Sequence, residues 1–320
     1  MKYQRNLKDL EKVKKNYKVF SCFSCSTMYK NAYDVIGTCE IDPQMNKVYQ
    51  QNFKKINYEV IQELIKKIDL SKELFGIDIL DSPPCSNFST ATREKGRKKK
   101  KFREQAEQSL SDLFFDFLDF ANIIKPKIIV AENVKMLVGN AKSYVKEIAK
   151  KFNDIYNMQL FLLNSTMLPQ VRERVFFIAY RKDLNLQSLK LNFKADPIFY
   201  EQIEETNPDP KTYKNIKVCT ELWEKCEPGK SLSSVHPKSF FTHKKVHPKK
   251  VLNTVTAGDK MYHYKDKRSL SYLEYSLASS FPLDYNYLDV LPTYLMGMSV
   301  PPLMMYKISE QIKIQWLDKL

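Results

Sequence analysis

The chain has 320 residues and a formal net charge of +15, from 52 Lys and Arg against 37 Asp and Glu. With 43% hydrophobic and 28% charged residues, it has the composition of a folded protein with room for one large domain and a smaller one. No stretch approaches the roughly 20 apolar residues of a membrane span, residues 1–18 lack the apolar core of a signal peptide, and six scattered cysteines form no disulfide framework. These features predict a cytoplasmic protein without a membrane partner, whose charge suits a polyanion.

In chain order, short apolar runs at 18–23 (KVFSCF), 35–37, 77–80 (IDIL), 128–131 (IIVA), 160–163 and 175–179 (VFFIA) read as strands. Residues 43–53, 102–124 and 143–152 read as helices. The longest carries Leu110, Leu113, Phe114, Phe117, Leu118 and Ala121 at helical spacing. Strands alternating with helices predict an α/β fold, a parallel sheet with helices on both faces, and such sheets bind ligands at the carboxyl ends of their strands. The pattern breaks near residue 182. Residues 183–255 are richer in Pro, Asn, Lys and aromatics and read as a second, smaller domain. Helical spacing returns from Tyr272, and the last 20 residues form an amphipathic helix expected to pack back on the first domain.

The sharpest local signal is Ser82-Pro83-Pro84-Cys85-Ser86-Asn87-Phe88-Ser89, directly after the 77–80 strand. Two prolines fix the backbone as it leaves the strand and hold Cys85 at the carboxyl edge of the sheet. A lone cysteine is most often a small buried hydrophobe, so its neighbours decide. Ala131-Glu132-Asn133-Val134 ends the next strand and puts Glu132 at the same edge, as covalent and acid–base catalysis would need. Gln170-Val171-Arg172-Glu173-Arg174 precedes the strand at 175–179. Residues 93–103 (REKGRKKKKFR) hold eight basic side chains. Such a run is usually a solvated loop, but this one follows Cys85 directly. Cys22 and Cys25 form an isolated C-x-x-C with no second pair at metal spacing, so no metal site is expected.

These segments, in this order, resemble the DNA cytosine-5 methyltransferases along almost the whole chain. Pro83-Pro84-Cys85 matches the nucleophile motif, Glu132-Asn133-Val134 the Glu-Asn-Val motif, and Gln170, Arg172 and Arg174 the Gln-x-Arg-x-Arg motif. Residues 268–282 (RSLSYLEYSLASSFP) match the Arg-x-Leu-Thr…Glu…Phe-Pro segment, and Gly297-Met298-Ser299-Val300 the Gly-Asn-Ser-Val segment. The resemblance implies an S-adenosylmethionine-dependent methyltransferase (Rossmann-like) sheet with a smaller target-recognition domain. Residues 1–182 would bind cofactor and carry the chemistry, 183–255 would recognise the target, and 256–320 would return to complete the catalytic domain. It implies S-adenosyl-L-methionine as cofactor, held by Phe23, Glu40, Ile41 and Ser299, with Glu40 on the ribose hydroxyls. Cys85 would be the nucleophile, with Glu132, Arg172 and Arg174 as its catalytic companions. Double-stranded DNA would be the partner, met by Arg93, Arg97, Lys98, Lys99, Lys100 and Gln170, with the target base flipped out of the duplex. A cognate restriction endonuclease is a second candidate partner, as in restriction-modification systems.

The chain departs from the family where the first strand ends. The chain has only 7 glycines, well under the usual share of about 7%. None falls in Phe20-Ser21-Cys22-Phe23-Ser24-Cys25-Ser26-Thr27-Met28-Tyr29, where the family has a glycine-rich cofactor loop. Met298 replaces an asparagine, and Ser279 a glutamine. Two alternatives follow: a degenerate relative that binds DNA without transferring methyl, and an RNA cytosine-5 methyltransferase on the same fold, since some relatives act on tRNA.

Overall fold

A computed structural model of the chain describes residues 17–22, 33–40, 42–53, 57–58, 72–81, 114–135, 142–152, 154–164, 168–214, 220–236, 243–258 and 260–320. Seven strands form one sheet: β1 (Tyr17–Cys22), β2 (Tyr33–Cys39), β3 (Asn57–Tyr58), β4 (Ile79–Asp81), β5 (Ile128–Val134), β6 (Tyr156–Asn164) and β7 (Glu173–Arg181), in the order β3-β2-β1-β4-β5-β7-β6. Helices α1 (Pro43–Phe53), α2 (residues 114–124) and α3 (Lys142–Phe152) lie between them in sequence. The first part of the expected helix, 102–113, lies outside the described residues.

One strand corrects the expectation of a parallel sheet. β1 through β5 pair in parallel, but β7 runs antiparallel to both β5 and β6. The reason is chain length. β6 and β7 are joined by the eight residues 165–172, too few for a parallel crossover, which takes a dozen or more. β7 therefore folds back beside β6 and wedges between it and β5.

The apolar runs are continuous because the sheet is covered on both faces. On one face Phe20, Leu80, Ile129, Ala131, Val175, Phe177 and Ala179 pack with Phe114, Phe117, Phe120 and Ile124 of α2 and Ile148 and Phe152 of α3. Cys22 and Cys39, register partners on β1 and β2, share this core. Burial pushes the Cys22 thiol up, and Cys39 beside it adds to the effect, so Cys22 behaves as a core hydrophobe. On the opposite face the Tyr180 ring meets Trp316 edge-on at 4.9 Å. There Tyr33 donates to Ser309 O at 2.7 Å and Trp316 to Gln187 O at 2.7 Å.

The chain divides into two compact units: Leu10–Asn164, Glu173–Asn192 and Met305–Leu320 around the sheet, and a second containing Ser165–Arg172 and Phe193–Met304. The second unit is therefore wider than the 183–255 read from composition, and only 305–320 of the expected return segment cluster with the sheet. Hydrogen bonds explain why 256–304 cluster with what precedes them. Within this unit lie α4 (Lys211–Lys214), α5 (Thr220–Lys225), β8 (His243–Lys245), β9 (Lys260–Tyr262), α6 (Tyr272–Ser279) and α7 (Pro292–Met298). β8 pairs with β9, and Trp223, Cys226, Leu232 and Tyr262 share a small core. Glu274 of α6 takes a two-pronged bond from Arg268 at 2.8 and 2.9 Å and a third from Tyr200 at 2.7 Å. Ser271 and Glu274 also form a reciprocal capping box at the start of α6. Helix α8 (Pro302–Gln315) follows. Among the described residues, no helix is long and apolar enough to cross a membrane.

Candidate active site

In the sheet unit the antiparallel pairing of β5 with β7 sets Glu132 opposite Phe176 and Val134 opposite Arg174. Side chains two residues apart share a face, so Arg174 stands diagonal to Glu132 on the same face. Its Nε lies 2.8 Å from Glu132 Oε1, with the two side chains 13% and 8% exposed. Nη1 of the same arginine donates to Glu173 O at 2.8 Å. The pair sits near the carboxyl end of β5. It offers an acceptor and a donor side by side, the complement of a heterocycle edge that carries both.

Glu40 follows β2 and is nearly buried. The Asp42 N–H donates to its Oε1 at 3.0 Å. Asp42 in turn caps α1, its Oδ1 accepting from Gln44 N at 2.8 Å and Met45 N at 3.3 Å. This turn fixes the Glu40 carboxylate just beyond the strand end. Asp81, the last residue of β4, is fully buried at the same edge.

The Gln-x-Arg-x-Arg segment divides between the units. Gln170, in the second unit, is 1% exposed. Its Nε2 donates to Ala278 O at 3.0 Å and Ser279 Oγ at 3.1 Å, and its Oε1 accepts from Val255 N at 3.0 Å. A buried amide must find partners inside the fold, and Gln170 ties residue 255 to α6. Ser279, the departure noted above, supplies one of those partners.

Arg172 is equally buried. It donates to Val255 O at 2.9 Å, to Gly297 O at 3.0 Å and to Ser299 O. The two arginines thus take different partners, Arg172 gathering three carbonyls and Arg174 meeting Glu132. Ser299 caps α7, its hydroxyl donating to Leu295 O at 2.7 Å. Gly297 permits this crossing, since a Cβ there would come within 2.1 Å of Ala257 N.

The structure thus brings Glu132 and Arg174 together, and separately gathers Gln170, Arg172 and Ser299 with residues 255 and 297. Cys85, Phe23, Ile41, Arg93, Arg97, Lys98, Lys99 and Lys100 lie outside the described residues. Among those described, no group of three or more His, Cys, Asp or Glu side chains is placed to hold a metal ion.

The chain belongs to the C-5 cytosine-specific DNA methylase family, whose sequence profile matches residues 23–314. It is similar to the Type II methyltransferase M.FnuDI of Fusobacterium nucleatum, 32% identical over 50% of this chain and 44% of that one. It is also similar to M1.HphI of Haemophilus parahaemolyticus, 27% identical over 85% of this chain and 79% of that one. The chain spans less than half the length of most curated relatives it matches. Its fold is that of a prophage-encoded E. coli protein assigned as a DNA modification methyltransferase. That match has a TM-score of 0.70 at 16% identity and covers 93% of this chain and 99% of that one.

Proposed function

We propose that the chain transfers a methyl group from S-adenosylmethionine to C5 of a cytosine flipped out of duplex DNA, through a covalent adduct at Cys85. The observation that carries this reading is the Glu132–Arg174 pair at the edge of the sheet, in a chain of the C-5 cytosine-specific DNA methylase family. C5 of cytosine is a weak nucleophile. Addition of the Cys85 thiolate at C6 makes C5 enamine-like. Glu132, at N3 and the exocyclic amine, stabilises the charge that develops on the ring, and Arg174 meets O2. Loss of the C5 proton then expels Cys85.

S-adenosylmethionine, when bound, supplies the methyl group from a sulfonium centre. Glu40 would take its ribose hydroxyls, and Phe23, Ile41 and Ser299 are the further cofactor residues that the family's motifs assign. Arg172 is a positioning residue in this reading, since its guanidinium is engaged by backbone carbonyls. Arg93, Arg97, Lys98, Lys99 and Lys100 neutralise phosphates without reading sequence, and residues 183–255 carry target recognition. A cognate restriction endonuclease would be the enzyme against which the methylated site is protected.

The test is incubation with methyl-labelled S-adenosylmethionine and either duplex DNA or RNA. Label recovered as 5-methylcytosine in DNA is expected. Label in RNA alone would favour the RNA-modifying alternative. DNA binding with no label in either would favour the degenerate relative.

A further inference from the structure

Residues 269–306 contain no Lys, Arg or His, although 52 of the chain's 320 residues are Lys or Arg. Their acids are Glu274, buried and engaged by Arg268 and Tyr200, and the exposed Asp284 and Asp289. The same stretch concentrates exposed apolar side chains. Seven of the fifteen large hydrophobic residues that stand exposed among the described residues lie between Tyr272 and Met298. Four of them, Tyr272, Leu283, Leu288 and Leu291, line a cleft of about 750 Å³ in the second unit, together with Asp284 and Asp289. The cleft is firmly built. Phe281, Tyr285 and Tyr287 form a cluster with ring centroids 5.0 to 6.1 Å apart, and the Tyr287 hydroxyl meets Ser276 Oγ at 3.3 Å. Leu288 is held at φ 49°, its N–H on Asn286 Oδ1 at 2.9 Å. Apolar side chains on a fixed loop lose little freedom when a partner covers them.

A surface with no basic side chain does not suit phosphates. An apolar centre with a charged rim has the composition of a contact between proteins. We propose that this cleft is a self-association surface, and that its occupant is a second copy of this chain. Charge complementarity carries the choice. The rim is acidic, and all 52 Lys and Arg lie outside residues 269–306, so a second copy offers the basic counterpart. One such counterpart stands on the same unit. Ser269 N donates to Thr212 O at 3.0 Å, which sets α4, with Lys211 and Lys214, beside the start of α6. The exposed Tyr213 of α4 adds to the apolar surface there. Under a twofold axis, Asp284 and Asp289 of each copy meet α4 of the other, and the assembly closes at two. This inference does not depend on the function proposed above.

The experiment is sedimentation velocity of the full chain, freed of nucleic acid, over a series of micromolar concentrations, with thermal melts of each protein. Wild type is expected to form a dimer at about 0.1 M salt. The dimer should weaken towards about 1 M, as the screening length falls from about 10 to about 3 Å. Asp289→Lys, a charge reversal at an exposed position, should weaken the dimer at least tenfold with the melting temperature unchanged. Should Asp289→Lys not fold, Leu283→Ser, which removes an exposed leucine, is read in its place with the same expectation. A wild-type chain that stays monomeric at these concentrations would overturn the proposal. So would a dimer indifferent to salt, or a folded variant that dimerises as tightly as wild type.

Discussion

Replacing Glu132 by glutamine removes a charge and almost no volume. The amide still offers Arg174 an acceptor, so the melting temperature should move little. The charge that stabilises the attacked ring is lost, and kcat should fall by about 10²–10⁴, the range for a positioned acid–base or electrostatic group. Single-turnover methyl transfer reads this, and an unchanged rate would remove Glu132 from the chemistry. His263 allows a second prediction at the same scale. It is buried, its Nδ1 accepts from Asp266 N at 2.8 Å, and Nε2 therefore carries the proton toward Glu204 Oε1, 2.8 Å away. Burial holds its pKa below the ordinary value, more than Glu204 restores. The folded state thus binds fewer protons than the unfolded chain, and stability should be full above about pH 6.5 and fall as the pH drops below it, by at most about 1.4 kcal/mol per pH unit. Urea midpoints between pH 7.5 and 5 check this. His263→Gln should flatten that stretch of the profile, and an identical slope in the variant would contradict the assignment.

Scarcity of glycine shows at the level of elements. Lys125, Asn185, Ser280 and Leu288 hold positive φ among the described residues, a conformation that ordinarily recruits glycine. Lys125 ends α2 at φ 48° and is exposed, directly before Pro126. Lys125→Gly should therefore stabilise the fold by roughly 0.5–1 kcal/mol, read as a higher denaturant midpoint at unchanged slope. A lower midpoint would mean that the lysine side chain matters more than the backbone strain. Most elements were legible in the sequence because burial on both faces leaves unbroken apolar runs, as in β1, β5 and β7, and because α3 has one apolar stripe. The reversal of β7 was not, since direction depends on the length of a link rather than on any residue type. The burial of Gln170 and Arg172 was not either. Motif spacing tells which residues recur together, but their partners, Val255, Ala278 and Gly297, come from far along the chain. The Arg268–Glu274–Tyr200 cluster was half legible: residues 268–282 stood out as a segment, while Tyr200 comes from a stretch with no periodicity at all.

For the whole molecule, two compact units, a sheet reversing at β1 and acids at its carboxyl edge form the frame on which the proposed chemistry rests. A catalyst and a relative that only binds DNA would share that frame, so the decisive question is whether Cys85 bonds to a cytosine. Duplex DNA in which cytosine is replaced by 5-fluorocytosine answers it, because fluorine at C5 cannot leave as the proton does and the adduct is arrested after methyl transfer. With S-adenosylmethionine present, the wild-type chain should form a protein–DNA complex that survives denaturant, and Cys85→Ser should form none. Trapping in equal yield by the serine variant, or no trapping by a wild-type chain that binds both DNA and cofactor, would contradict the account.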